Sequence, residues 1–140
     1  MTRVFRFVSV LSLVFAAACS SSSTSPSTPS LNIPFSATDV TIGTGATAAS
    51  GNTATVTYAG YLYSTTAADN KGTRFDSGVY SFRLGANQAI AGFDRGVTGM
   101  KVGGTRRVII PPDLGYGSVA QSGIPANSTL LFDITLTAVQ

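Results

Sequence analysis

Ile90, Phe93, Val97 and Met100 stand three, four and three residues apart, the spacing that lines apolar side chains along one stripe of a helix. The same segment carries Gly92, Gly96 and Gly99. Each glycine costs a helix about 1 kcal/mol relative to alanine, so propensity alone cannot hold these turns. A short helix of this kind persists only if other elements wrap it. The run from Arg106 to Ile110 follows directly, reads as a strand, and stops at the breaker Pro111-Pro112. The stretch from Ile90 to Gly117 therefore reads as a helix and the start of its wrapping, around which the remaining chain must be organised.

The wrapper is legible on both sides. A first strand is expected around Asp39 to Ile42, with turns at Gly43 to Gly45 and at Ser50 to Asn52. From Ala54 to Tyr63, Ala54, Val56, Tyr58, Gly60 and Leu62 alternate with Thr55, Thr57, Ala59, Tyr61 and Tyr63, giving a long strand with two unlike faces. Ser64 to Gly72 is a polar loop. Thr73 to Asp76 and Tyr80 to Leu84 are two short strand candidates separated by Ser77-Gly78, and Gly85 to Ala89 leads into the helix. After the helix come Thr105 to Ile110 and a loop from Pro111 to Asn127. In the final strand Leu130, Phe132, Ile134, Leu136 and Ala138 face one way, while Asp133, Thr135 and Thr137 face the other. The expected class is α+β: five or six antiparallel strands folded around one short helix.

The N-terminal part reads differently. Arg3 and Arg6 precede an apolar run from Phe7 to Ala18, followed by Cys19, which is the layout of a secretory signal. The run is too short for a permanent bilayer span, for which roughly 20 residues are needed. Ala16-Ala17-Ala18-Cys19 is similar to a bacterial lipobox, with Ala16 at the position usually held by leucine. Cys19 is then the expected lipidation site and membrane anchor; the alternative is an ordinary cleaved signal with an incidental cysteine. Ser20 to Ser30 is a Ser/Thr/Pro tract that cannot build a core. The expected organisation is a signal over 1–18, a tether over 19–30, and one folded domain over 31–140, exported and facing the periplasm or cell exterior. Loss of Arg3 and Arg6 leaves seven basic against six acidic residues, so the net charge falls from +3 to +1. The basic residues are scattered, and only Arg106-Arg107 are adjacent; the expectation is a solvated strand edge rather than a nucleic-acid surface. No dimerisation segment is visible, and a monomer is expected.

Composition also restricts the chemistry. The chain has no His and no Glu, and Cys19 is its single cysteine. Ser-His-Asp and Cys-His nucleophile systems cannot be built, nor zinc sites of the usual His/Cys kind. The six Asp residues are too dispersed for a calcium loop, and Gly92-x-x-x-Gly96 lacks the Lys-Ser/Thr of a phosphate loop. No metal or cofactor is expected. An enzyme with this inventory works without a strong acid, base, metal or nucleophile.

What the chain does offer is aromatic residues beside polar turns, in a characteristic order. Val56 to Tyr61 (VTYAGY), Arg74 to Ser77 (RFDS), Phe82 to Gly85 (FRLG), Ile90 to Lys101 (IAGFDRGVTGMK), Gly103 to Arg106 (GGTR), Ile110 to Gly117 (IPPDLGYG) and Ile124 to Asp133 (IPANSTLLFD) together resemble the FKBP-type peptidyl-prolyl isomerases. The resemblance runs from about Ile33 to Val139. It implies a proline pocket with Phe93 as its floor, where many members have Trp. Tyr58, Phe82 and Phe132 would be its walls, with Ile90 at the rim and Ala89 and Ile124 completing the substrate-facing set. It further implies that the Tyr116 hydroxyl and the Ile90 N–H donate to a substrate carbonyl. Asp76 would accept a hydrogen bond beside the pocket, from the Tyr58 hydroxyl among the candidates, and Phe75 would close one side. The link between Asp76 and Phe82 is shorter than in typical small members, so the flap there is expected to be trimmed. The loop from Ser118 to Gly123 has no aromatic residue or His near its tip.

Such a pocket would suffice for the chemistry. An X-Pro amide rotates over a barrier of about 18 to 20 kcal/mol because rotation breaks its resonance. Lowering that barrier by roughly 4 to 5 kcal/mol would allow turnover on the order of 100 per second. A twisted amide has lost much of its resonance dipole, so a water-poor pocket disfavours it less than the planar ground state. The expected partners are proline-containing polypeptides, with macrolide inhibitors as a further ligand class. Two other readings stay open: a binding module that keeps the pocket as a holdase or adhesin, and a purely structural β-rich lipoprotein.

Overall fold

The computed structural model describes residues 32–140. The expected signal, the tether and Cys19 lie outside the described residues. Five strands and one helix follow in the order β1 (Ser36–Thr41), β2 (Thr53–Tyr63), β3 (Lys71–Arg83), α1 (Ala91–Val97), β4 (Thr105–Ile110) and β5 (Leu130–Val139). The strands form one antiparallel sheet in the order β1-β4-β5-β2-β3. This is the α+β architecture expected from the sequence, with five strands among the described residues.

Helix α1 is only seven residues long and lies against β4. Its glycines explain how closely it can approach. A Cβ on Gly92 would stand 2.4 Å from Ile110 Cγ2, and one on Gly96 would stand 2.7 Å from Val108 Cγ2. Small residues on this face let backbone and sheet meet, and the burial of Phe93, Val97 and Met100 offsets what the glycines cost. Fully burying each such side chain contributes about 1.5 to 3 kcal/mol. The helix stops where Gly99 turns left-handed at φ +87°, so Met100 extends the apolar stripe from beyond the helix end.

Arg106 and Arg107, expected on a solvated strand edge, are both engaged instead. The Arg106 side chain is only 14% exposed; its Nε donates to Asp39 Oδ1 at 2.7 Å, and its Nη1 donates to the carbonyls of Gly96 and Thr98 at 3.0 and 3.2 Å. It therefore ties β1 to the C-terminus of α1, the end at which cations are favoured. On the other face of the sheet Arg107 and Lys71 both pair with Asp133. Burial works to raise the Asp133 carboxyl, but the hydrogen bonds from Arg107 and Lys71 outweigh it and hold the group below the usual carboxylate range.

Three expectations about strands need correction. The first strand begins at Ser36 and ends at Thr41, because its partner β4 runs alongside it as far as Ile109. The two short candidates around Ser77-Gly78 are one 13-residue strand: β2 is long enough to pair with it continuously, and Gly78, opposite Tyr58, stays extended. At the end of β5 the core position passes from Ala138 to Val139. Thr55 pairs with Ala138 and Val56 with Leu136, so Thr137 is an extra residue, and its bulge rotates Val139 onto the core opposite Ala54.

Candidate active site

The middle of β2 sets the position of the site. Tyr58 and Gly60 point toward the helix side of the sheet, and Gly60 has no side chain for a structural reason: a Cβ there would stand 2.7 Å from Phe132 Cε1 and 2.7 Å from Phe75 Cζ. Phe132 comes from β5, directly opposite Gly60, and Phe75 from β3. The missing Cβ lets the two rings meet edge to face, with centroids 5.6 Å apart. Phe93 on α1 completes the cluster. Its ring stands edge to face against Tyr58 at 5.7 Å and Phe132 at 5.1 Å, and lies tilted against Phe82 at 5.6 Å. Four of them, Tyr58, Phe75, Phe93 and Phe132, face an open cavity of about 340 Å³ that is also lined by Asp76, Tyr80, Gln88, Ala89, Ile90 and Tyr116. That volume is at the lower end of the range for small-ligand sites.

The polar groups are few and mostly satisfied from within the protein. Tyr58 donates its hydroxyl to Asp76 Oδ2 at 2.7 Å, and Asp76 Oδ1 accepts the Ser77 N–H at 2.8 Å. Burial, followed by the hydrogen bond and charge of Asp76, pushes the Tyr58 phenol up to about 12. Tyr80 donates its hydroxyl to the Gln88 carbonyl at 2.6 Å, and Gln88 Oε1 accepts the Arg83 N–H at 2.7 Å, so the segment before α1 is tied to β3. The carbonyl of Ile90 is taken by the first turn of the helix, through the N–H groups of Phe93 and Asp94. Tyr116 follows a short 3-10 turn at Pro112–Leu114, in a loop braced by Gly117 N–H to Pro112 at 2.8 Å. Its hydroxyl has no hydrogen-bond partner among the described residues, and the side chain is 37% exposed. Among the described residues no three Asp, Glu, His or Cys side chains converge as metal ligands would.

Of the ten site residues read from the sequence, the structure brings eight to this cavity: Tyr58, Phe75, Asp76, Ala89, Ile90, Phe93, Tyr116 and Phe132. Phe82 and Ile124 do not line it. Phe82 pairs opposite Ala54, two residues beyond Tyr80 on the same face of β3, and is 1% exposed behind the first layer of rings. Tyr80 takes the wall position and stacks on Phe82 with centroids 5.1 Å apart. Ile124 is turned into the core by reciprocal backbone hydrogen bonds with Gln121 at 2.9 and 3.0 Å. Tyr80 and Gln88 were missed. The alternation that aligns Tyr80 with Phe82 would have found the first; nothing in the sequence marks the second.

A family model for FKBP-type peptidyl-prolyl cis-trans isomerases matches residues 45–137, a span that contains every residue lining the cavity. The chain belongs to this family. FK506-binding protein 3 of Candida albicans is 51% identical over 106 residues, covering 73% of this chain and 23% of that protein. FK506-binding protein 3 of Debaryomyces hansenii is 47% identical over 102 residues, with 70% and 22% covered. The chain thus spans less than a quarter of the length of these curated relatives. Among solved structures, FkpA from Escherichia coli superposes with a TM-score of 0.64 at 35% identity, covering 76% of this chain and 48% of that one. A peptidyl-prolyl cis-trans isomerase from Pseudomonas syringae gives 0.63 at 31% identity, covering 76% and 75%. The FKBP-type fold therefore extends over nearly all the described residues, and the aromatic cavity lies within it.

Proposed function

We propose that this FKBP-type chain is a peptidyl-prolyl cis-trans isomerase that acts by desolvation and hydrogen bonding. The observation that carries this reading is the cavity itself: Phe93, Tyr58, Phe132 and Phe75 surround a space fit for a proline ring, and the Tyr58 hydroxyl is already committed to Asp76. In that setting the planar X-Pro amide gives up the hydration of its resonance dipole, while the twisted amide has less dipole to lose. The Tyr116 hydroxyl and the Ile90 N–H at the rim are the donors assigned to substrate carbonyls, and hydrogen bonds that fit only the twisted geometry supply the remaining selectivity. No proton moves, in keeping with a chain that has no histidine. A protease-coupled assay of X-Pro isomerisation in a tetrapeptide tests the proposal. Acceleration that is lost in Phe93→Ala supports it, and the uncatalysed rate with folded wild-type chain refutes it.

The proposal extends to the cell. Cys19 is the acylated residue of a bacterial lipoprotein, residues 19–30 tether the domain, and the clients are exported, proline-containing polypeptides met as they fold outside the cytoplasm. The support is the charged, apolar and small-residue order of residues 1–19 and the Ser/Thr/Pro tract after it. Radioactive palmitate should label the wild-type chain and not Cys19→Ser; an unlabelled wild-type product rejects the anchor. Macrolides would occupy the same cavity and inhibit turnover competitively, and the domain would sediment as a monomer.

A further inference from the structure

The Ile90 N–H, one of the donors assigned to substrate carbonyls, sits at the end of a segment that no strand or helix supports. Residues 85–89 join β3 to α1 through turns and bends, and Asn87 adopts a left-handed φ of +55°. The Ile90 N–H has no hydrogen-bond partner among the described residues. A donor favours the twisted amide only if it is held in place before the bond rotates, so its position must be fixed from elsewhere. Three side chains pin the segment. Near its start Asp94 Oδ2 accepts the Gly85 N–H at 2.9 Å. Near its end Gln88 is held twice: its Oε1 accepts the Arg83 N–H at 2.7 Å, and its carbonyl accepts the Tyr80 hydroxyl at 2.6 Å. Tyr80 is a firm anchor, because it pairs opposite Val56 within β3 and its ring stacks on the buried Phe82, with 11° between the planes.

Backbone geometry turns this anchor into control of the donor. The Gln88 carbonyl lies in the peptide plane between residues 88 and 89, the Ile90 N–H in the next plane, and the Ile90 carbonyl in the one after it. Tyr80 holds the first of these planes. The N–H groups of Phe93 and Asp94 hold the third, at 3.0 and 3.1 Å. The middle plane can move only through the Ala89 and Ile90 dihedrals. Ile90 stands at φ −58°, and turning the plane over would drive it to positive φ, which a β-branched residue avoids. Freedom therefore remains on the Ala89 side, and the Tyr80 bond closes it.

We infer that Tyr80 is a positioning residue for isomerisation: its hydroxyl, acting through the Gln88 carbonyl, holds the Ile90 N–H where a substrate carbonyl meets it. This rests on the isomerase reading above. The bonds of the strut are all made within the protein, so the prolyl amide stays free to rotate, and the substrate meets a single donor that does not move with it. Gln88 is the second limb of the same strut, since its side chain ties the carbonyl that Tyr80 holds back to β3 at Arg83.

Tyr80→Phe deletes the hydroxyl and keeps the stacked ring. In the tetrapeptide assay it should lower kcat about fivefold, the effect of one neutral hydrogen bond, with KM nearly unchanged, because a misplaced donor is missed mainly in the transition state. Gln88→Ala should lower kcat in the same way, and Gln88→Glu, which keeps an acceptor for the Arg83 N–H, should restore it. NMR relaxation dispersion on the free chain supplies the readout that a direct contact with substrate would not move. The Ile90 amide should be quiet in the wild type and in Gln88→Glu, and should gain millisecond exchange in Tyr80→Phe and Gln88→Ala. A drop in kcat with a quiet Ile90 amide, a mobile amide with unchanged kcat, or a rise in KM alone would each overturn the inference. Wild-type turnover at the uncatalysed rate would sink the isomerase reading itself, whereas any of those three outcomes with normal wild-type turnover removes only the role of Tyr80.

Discussion

The pairing of Tyr58 with Asp76 gives a quantitative handle on the site. The hydroxyl and Oδ2 are 2.7 Å apart, the length of a charge-assisted bond. A hydrogen bond to a charged group contributes about 1.5 to 3 kcal/mol when buried. Asp76 is exposed, so its carboxylate is readily rehydrated once the phenol is removed, and the value must be discounted to about 1 kcal/mol. If the pair acts as a unit that fixes the Tyr58 ring in the cavity wall, Tyr58→Phe and Asp76→Ala should each lower kcat/KM about fivefold, and the double variant should also fall about fivefold. A double variant falling about 25-fold, the product of the singles, would refute the reasoning, because it would mean two independent roles. An absorbance titration of the tyrosines supplies a second readout. Burial is the larger cause of the raised Tyr58 value, so Asp76→Ala should bring its ionisation only part of the way down from about 12, while Tyr58→Phe should remove that step altogether. The folded value lies above the unfolded one, so the stability linked to the neutral phenol is full below about pH 10 and is lost as pH rises toward 12.

Three further outcomes are expected. Gly60→Ala should destabilise the domain by about 1 to 3 kcal/mol in urea unfolding and raise KM, because the new methyl would drive Phe75 and Phe132 apart. Asp39, held low by its hydrogen bonds from Arg106, and Asp133 have folded values below the unfolded carboxylate range; their contribution is present above about pH 4 and is lost as pH falls through the folded values. The thermal midpoint should therefore drop on acidification below about pH 4, and Asp133→Asn should flatten that drop. Arg106→Ala should cost about 1 to 2 kcal/mol in the same unfolding assay, since it unties β1 and uncaps the C-terminus of α1 together.

The reach of sequence reasoning can be traced residue by residue. The stripe from Ile90 to Met100, the alternation in β2 and β5 and the breaker at Pro111-Pro112 are local signals, and each marks an element within a few residues of its observed bounds. The failures arise where a partner strand decides. Ser77-Gly78 carries the chemistry of a turn, yet Tyr58 and Ala59 pair with it and keep it extended. Ala138 continues the alternation of β5, but the slip opposite Thr55 and Val56 gives its place to Val139. Phe82 bears the family motif, yet two residues of strand set it behind Tyr80, whose hydroxyl could be matched to the Gln88 carbonyl only in three dimensions.

The same distinction explains why the cavity was more legible than its rim. Floor and walls are aromatic residues whose identities are constrained by packing: replacing Gly60 would push two rings apart, and Phe93 touches three. The rim is held by backbone and amide hydrogen bonds, and those can be formed by many side chains. Gln88 anchors the Arg83 N–H through a generic acceptor, so another acceptor of similar reach would serve. Residues that hold by shape leave a mark in the sequence; residues that hold by a single interchangeable hydrogen bond do not. It follows that variation among FKBP-type domains in what they accept beside the proline should concentrate on rim positions of this kind, here Gln88. The ring cluster beneath should change little.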